Sequence, residues 1–116
     1  MINETYHEKL KGLMNSYVHT VYKITKSFPK EELYGSTSQL RRSALSVILN
    51  YIEGYARIRD KVHKSFLEIS YGSLKESKYL IEFSFEEGYC SHEEKVVVIQ
   101  LAEEIGAMLW GILRKI

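Results

Sequence analysis

Only one cysteine, Cys90, and one proline, Pro29, occur among the 116 residues of this chain. A lone cysteine excludes an internal disulfide and fits a reducing compartment. A lone proline leaves long stretches without the residue that most strongly interrupts a helix. Net charge is scarce as well: 16 Lys/Arg against 15 Asp/Glu leave +1, which argues against bulk electrostatic capture of nucleic acid or membrane. The start "MINETYHEKLKG" has no apolar run behind a basic segment, so no signal peptide is expected. No apolar stretch approaches the ~20 residues that a membrane span needs, and a cytoplasmic protein is expected. No segment alternates cleanly between apolar and polar residues. "KVVVIQL" is rich in β-branched residues, but a 3.6-residue period continues through it. There is no internal repeat, no low-complexity tract and no glycine-rich phosphate loop.

Sites of chemistry are missing too. Glu4 and His7 have the Glu-x-x-His spacing of di-iron bundles, but such sites need two pairs and further carboxylates, and this chain has one copy at its terminus. His92, Glu93 and Glu94 read as a helix start, where acids suit the dipole. Cys90 has no recognisable base beside it. No catalytic residue, metal, cofactor or small-molecule substrate is therefore expected, and the chain is not expected to be an enzyme.

What is present is helix. A content of 45% apolar and 27% charged residues is that of a globular chain, and its length suits one domain over residues 1–116. Tyr6, Leu10, Leu13, Tyr17, Val21, Ile24 and Phe28 recur every three or four residues, predicting a first helix from about Asn3 to Ser27, stopped by Pro29. After the linker "FPKEELYG", "STSQ" offers a capping box between Ser36 and Gln39 and opens a second helix to about Arg57. Asp60 reads as the N-cap of a third, whose inner face is expected to hold Val62, Phe66, Ile69, Ser73, Ser77, Leu80 and Ile81 and whose stop is Gly88. Ser70 and Ser84 also fall among its core positions, as small residues of a tight seam. "SHEE" at 91–94 is a second capping box, opening a fourth helix with Val98, Leu101, Ile105, Met108, Leu109, Ile112 and Ile116 on one side. Four such helices with short connections predict an all-α, antiparallel up-down-up-down four-helix bundle.

The second helix has more apolar surface than a lone bundle can hide. Leu40, Ala44, Val47 and Tyr51 make one stripe, while Leu45, Ile48, Leu49 and Ile52 spread further round the cylinder. Val96, Val97, Ile99 and Trp110 lie off the core stripe of the fourth helix. Large exposed apolar patches are rare on soluble monomers, so a homo-oligomer is expected, with Leu45, Ile48, Leu49, Ile52 and Trp110 at its interface. Gln39, Arg42, Ser46, Asn50, Glu53 and Arg57 form a polar stripe on the same helix. It reads either as a solvated strip with Glu53 and Arg57 paired at i,i+4, or as a partner-facing row whose arginines donate to phosphate or carboxylate. Gly54 reads as a point of close helix approach.

"FPKEELYGSTSQLRRSALSVILNYIEGYAR", followed by "GSLKE" at 72–76, resembles the four-helix-bundle proteins named after intervening sequences in 23S ribosomal RNA genes. The resemblance is carried by Phe28, Pro29, Lys30, Glu32, Tyr34, Gly35, Gln39, Leu40, Arg42, Ser46, Asn50, Glu53, Gly54, Tyr55 and Arg57. Ser36 stands where the pattern has leucine, and Tyr51-Ile52 where it more often has Ile-Ala. The resemblance implies an antiparallel bundle, often assembled as a ring-like homopentamer. Some members are encoded inside ribosomal RNA intervening sequences. A related branch looks like the accessory protein of diversity-generating retroelements, which partners a reverse transcriptase and binds nucleic acid.

The distribution of charge shows where RNA or an RNA-handling partner would sit. Residues 36–64 hold six Lys/Arg against Glu53 and Asp60, a local +4; residues 82–104 hold seven Glu against Lys95, a local −6. In an up-down bundle Arg57, Arg59, Lys61 and Lys64 gather at one pole with Arg114 and Lys115, and Glu82, Glu86, Glu87, Glu93 and Glu94 at the other. Arg41 and Arg42 start the second helix near the acidic end and are expected to be neutralised by it. The candidate nucleic-acid-binding residues are Arg42, Asn50, Tyr55, Arg57, Arg59, Lys61 and Lys64, with Tyr55 available for base stacking. Ordinary solvation and favourable charges at helix ends are the competing account of that pole. The alternative function is a protein–protein interaction scaffold with no nucleic-acid contact.

Overall fold

A computed structural model describes residues 4–116. Four helices follow one another: α1 Glu4–Thr25, α2 Ser36–Tyr55, α3 Asp60–Glu86 and α4 His92–Leu113, with a single 3₁₀ turn at Lys30–Glu32. No strand occurs among the described residues. The expected start of α1 at Asn3 lies outside the described residues, and its expected end at Ser27 falls two residues late. Each helix packs against its chain neighbour and α1 closes the circle on α4, so α1 is diagonal to α3 and α2 to α4. The contacts run in opposite directions along each neighbouring pair. Thr25 meets Arg41 while His7 meets Tyr51; Ser46 meets Ser73 while Gly54 meets His63; Glu82 meets Lys95 while Tyr71 meets Trp110; Phe28 meets Tyr89 while Tyr6 meets Met108.

The core is a column of fully buried side chains: Leu10, Met14, Tyr17 and Val21 from α1, Leu40, Ala44, Val47 and Tyr51 from α2, and Val98, Ala102, Ile105 and Leu109 from α4. The apolar stripe read from α2 is thus its core stripe. The face expected for α3 is corrected. Val62 and Ile69 are exposed, Phe66 and Leu80 are half-buried, and the buried residues are Leu67, Ser70, Ser73, Leu74, Ser77, Ile81 and Ser84. Leu67, Leu74 and Ile81 alternate with Ser70, Ser77 and Ser84 at seven-residue spacing, which is a coiled-coil seam with serine in every second core position. The small hydroxyls bring α2 close: Ser70 Oγ donates to the Val47 carbonyl (2.6 Å), and Ser46 and Ser73 share a hydrogen bond of 2.8 Å. A Cβ on Gly54 would stand 3.2 Å from Leu67 Cδ2 and 3.3 Å from the His63 carbonyl oxygen, so its role in close approach holds. At the end of α4, Ile116 is exposed rather than part of the core.

Local signals set the helix ends, with two corrections. Ser91 and Glu94 form the expected capping box, with Glu94 N–H donating to Ser91 Oγ (3.1 Å) and Ser91 N–H to Glu94 Oε1 (2.9 Å). Gly88 stops α3 with φ +81°, and the Tyr89 N–H reaches back to the Ser84 carbonyl at 2.8 Å. The Ser36–Gln39 box does not form. Glu32, set back by the 3₁₀ turn, presents its carboxylate instead, and Ser36 donates to it from both Oγ (2.7 Å) and N–H (3.2 Å). An ionised oxygen is a stronger acceptor than a hydroxyl at the positive end of a helix. Asp60 is the first residue of α3 rather than its cap, which is Arg59. Finally, α4 is long and apolar enough, by length and composition, to cross a membrane. That corrects the expectation of no such stretch, since an interrupted segment can still carry few charges; its inner face packs in the bundle core.

Candidate nucleic-acid interface

The end of α2 and the start of α3 meet the start of α1 and the end of α4. Tyr51 is buried, and its hydroxyl pairs with His7 Nδ1 across the α1/α2 seam. Tyr55, one turn on, lies edge-on to two imidazoles, with centroids 4.4 Å from His7 and 4.4 Å from His63. Nδ1 of His63 donates to the Gly54 carbonyl (2.8 Å), which also accepts from the Arg57 N–H (3.2 Å) at the end of α2. Tyr6 ties α4 in, its hydroxyl donating to the Met108 carbonyl at 2.7 Å.

Burial holds the Tyr51 phenol well above the usual tyrosine range. The His7 imidazole is pushed down, first by burial and then by the positive charges of Lys11 and His63. A protonated phenol therefore donates to a neutral imidazole. This pair ties α1 to α2 at the bundle end, one helical turn before the 56–59 turn. A groove of about 560 Å³ opens beside it, between Glu4, His7 and Lys11 of α1 and Ile52 and Tyr55 of α2.

The turn carries the cations. Arg57 is half-committed: it pairs with Glu53, as the i,i+4 spacing predicts, and its guanidinium lies 5.0 Å from the centre of the Phe66 ring. Arg59, Lys61 and Lys64 are exposed, with no acidic partner among the described residues. Between the two arginines stands Ile58, 97% exposed, a side chain that sequence reasoning did not single out. Arg114 and Lys115 follow directly on the end of α4 at the same pole.

Other predicted residues lie apart. Arg42 lies thirteen residues before the end of α2 at Tyr55, about 20 Å along the helix from the turn that carries Arg57. It is exposed at a polar groove of about 370 Å³ with Gln39, Ser46, Ser73 and Glu76. The expected neutralisation by the acidic end is corrected: Arg41 donates to Thr25 Oγ1 (2.8 Å) and stacks over Tyr22, and Arg42 has no acidic partner among the described residues. Asn50 turns its amide nitrogen onto the carbonyl (2.9 Å) and hydroxyl (2.8 Å) of Ser46. Tyr55 stays 40% exposed at the groove it shares with His7, with both imidazoles and Tyr51 packed against part of its ring. His7 and His63 were not foreseen in this cluster: they come from different helices and carry no local pattern.

On the flanks, Leu45, Leu49 and Ile52 are exposed and Ile48 is half-buried. Trp110 is exposed on the diagonal helix. Cys90 is free, buried in the core at the opposite end, and its thiol is pushed up by burial and then by Glu94. No group of His, Cys, Asp and Glu able to hold a metal occurs among the described residues.

Residues 10–111 match the family model described as 23S rRNA-intervening sequence protein. The chain belongs to this family. Among solved structures, the fold is similar to the crystal structure of a protein of unknown function from the S23 ribosomal protein family of Bacteroides thetaiotaomicron. The TM-score is 0.83 at 18% sequence identity, over 90% of this chain and 97% of that one. At that identity the likeness concerns the fold alone. No curated protein matches the chain. Within the 23S rRNA-intervening sequence family, then, this member brings together a basic turn, a tyrosine–histidine rivet beneath it and an apolar flank on α2.

Proposed function

We propose that this chain is a non-enzymatic, oligomeric binding protein that engages RNA, or a ribonucleoprotein of the reverse-transcriptase type, through the basic end of its bundle. The observation that carries the reading is the exposed trio Arg59, Lys61 and Lys64, free of acidic partners among the described residues, while Arg57, Lys78 and Lys95 are each paired. Unpaired cations on a rigid turn release counterions when they meet phosphate. The family description supports an RNA setting. Self-association would cover Leu45, Leu49 and Ile52 and repeat the basic turn around the assembly; a homopentameric ring is what the resemblance implies.

Replacing Arg59, Lys61 and Lys64 together by alanine is expected to leave helicity intact. It should lower the salt dependence of RNA binding by about two units of logarithmic slope, at roughly 0.7 per phosphate contact on a single strand. Wild-type protein that binds no RNA in a salt-sensitive way overturns the reading. For assembly, Leu49→Glu with Ile52→Glu should lower the mass seen by light scattering. A wild-type mass equal to one 13.5 kDa chain overturns that part.

The second reading, a protein-binding scaffold without nucleic-acid contact, is favoured by the exposed α2 stripe beside a groove of about 370 Å³ between α1 and α2. Partners retained after RNase treatment would favour it over the first.

A further inference from the structure

The α3/α4 flank combines exposed aromatic surface with positive charge. Tyr71 and Trp110 face each other with ring centroids 6.1 Å apart and planes 35° from parallel, and Trp110 remains 54% exposed. Lys75 Nζ sits 5.2 Å from the centre of the Tyr71 ring. These side chains line a groove of about 210 Å³ together with Leu74, Ala102, Gly106 and the paired Lys78 and Glu103. Arg114 lies one turn beyond Trp110.

The charge is continuous with the basic end. At 100° per residue Lys61, Lys64, Tyr71 and Lys75 fall within about a quarter of the circumference of α3. They span about 21 Å at 1.5 Å per residue. Glu68 is the acid within that arc. Farther along, Lys78 is neutralised by Glu103 at 2.6 Å, which closes the track at that end. A row of cations leading to a half-exposed tryptophan is the arrangement that holds single strands: cations follow the backbone while an unpaired base stacks on the ring. Duplex bases are already stacked on one another and offer the ring no free face. Within one chain Trp110 lies with Tyr71 and Lys75, on the side of the bundle diagonal to the α2 stripe.

We propose that the Tyr71–Trp110 groove is a stacking site for an unpaired base of single-stranded RNA, whose backbone reaches it from the basic end along Lys61, Lys64 and Lys75. This rests on the RNA reading above and assigns the form of RNA and the path it takes.

Trp110 is the sole tryptophan in the chain, so its fluorescence reports on this site alone. A short oligouridine, titrated into the full chain, should quench the emission in step with binding followed by anisotropy of a labelled strand. An RNA duplex of equal length should not quench it. Trp110→Ala should weaken oligouridine binding by about 5- to 140-fold, the range seen when a stacking ring is removed. Trp110→Phe should retain most of the affinity, and Lys75→Ala should weaken binding with the tryptophan left in place. Salt-sensitive oligouridine binding with unchanged emission and full affinity in Trp110→Ala would overturn the inference while leaving the basic-end reading standing. If no RNA binds at all, both fall. If Trp110→Ala instead lowers the assembly mass and leaves RNA affinity per chain unchanged, the ring is a contact between copies and the inference is wrong.

Discussion

The hydroxyls of Tyr17 and Ser77 meet 2.7 Å apart at the centre of the bundle, on the diagonal between α1 and α3. Both residues are fully buried. Ser77 Oγ also donates to the Leu74 carbonyl at 2.9 Å, so the phenol must be the donor of the shared bond. Burial pushes the Tyr17 phenol well above its ordinary range, and it stays protonated. The serine row of α3 is what admits this long side chain to the middle of the core.

That direction makes the two truncations unequal. Ser77→Ala strands the buried phenol without an acceptor and should cost about 1–3 kcal/mol. Tyr17→Phe leaves Ser77 still donating to Leu74 and should cost about 0.5–1.5 kcal/mol. Urea denaturation at matched protein concentration measures both, and a larger loss for Tyr17→Phe would contradict the assigned direction.

Gly54 and Gly72 should respond with opposite signs to the same substitution. A methyl group on Gly54 meets the His63 backbone and the Phe66 and Leu67 side chains at 3.2–3.3 Å. Overpacking of roughly 1–3 kcal/mol should then outweigh a helix-propensity gain of about 1 kcal/mol. Nothing lies within 4 Å of a Cβ on Gly72, so Gly72→Ala should stabilise by about 0.5–1 kcal/mol. Thermal melts of the two variants beside wild type would show it; equal shifts of one sign would count against close approach at Gly54.

Protonation of His7 should weaken the fold. Its folded-state pKa is lowered, so the unfolded chain binds the proton more readily. The contribution of His7 is complete above the ordinary value of about 6.5. It is lost as pH falls from there through the depressed folded value, below which this group adds no further slope. The decline of stability from about pH 7 to pH 5 should be shallower in His7→Gln than in wild type. Parallel curves would mean that the Tyr51 contact does not depend on the state of His7.

Much of the architecture is written locally. Gly88 halts α3 because glycine alone adopts φ +81° without strain, and Ser91 with Glu94 opens α4 within four residues. The core stripe of α2 and the crowding at Gly54 follow from periodicity in the same way. The Glu53–Arg57 pair and the cations of residues 57–64 were legible from spacing. The face of α3 was misread because its apolar residues outnumber its seam positions. Val62 and Ile69 point outward, and Leu67 and Leu74 take the apolar core sites instead, while Ser70, Ser73, Ser77 and Ser84 are buried as their spacing predicts.

What this chain's amino acids determine unaided is four helices, the capped start of α4, the stop of α3 and the core stripe of α2, because capping and 3.6-residue periodicity act within a turn or two. Which faces meet was decided only by packing. The Tyr51–His7 contact joins residues 44 apart, Tyr6 reaches a carbonyl 102 residues away, and Tyr71 finds Trp110 across a groove between two helices. Such pairs depend on how four cylinders settle around one core, and no short window of sequence carries that information.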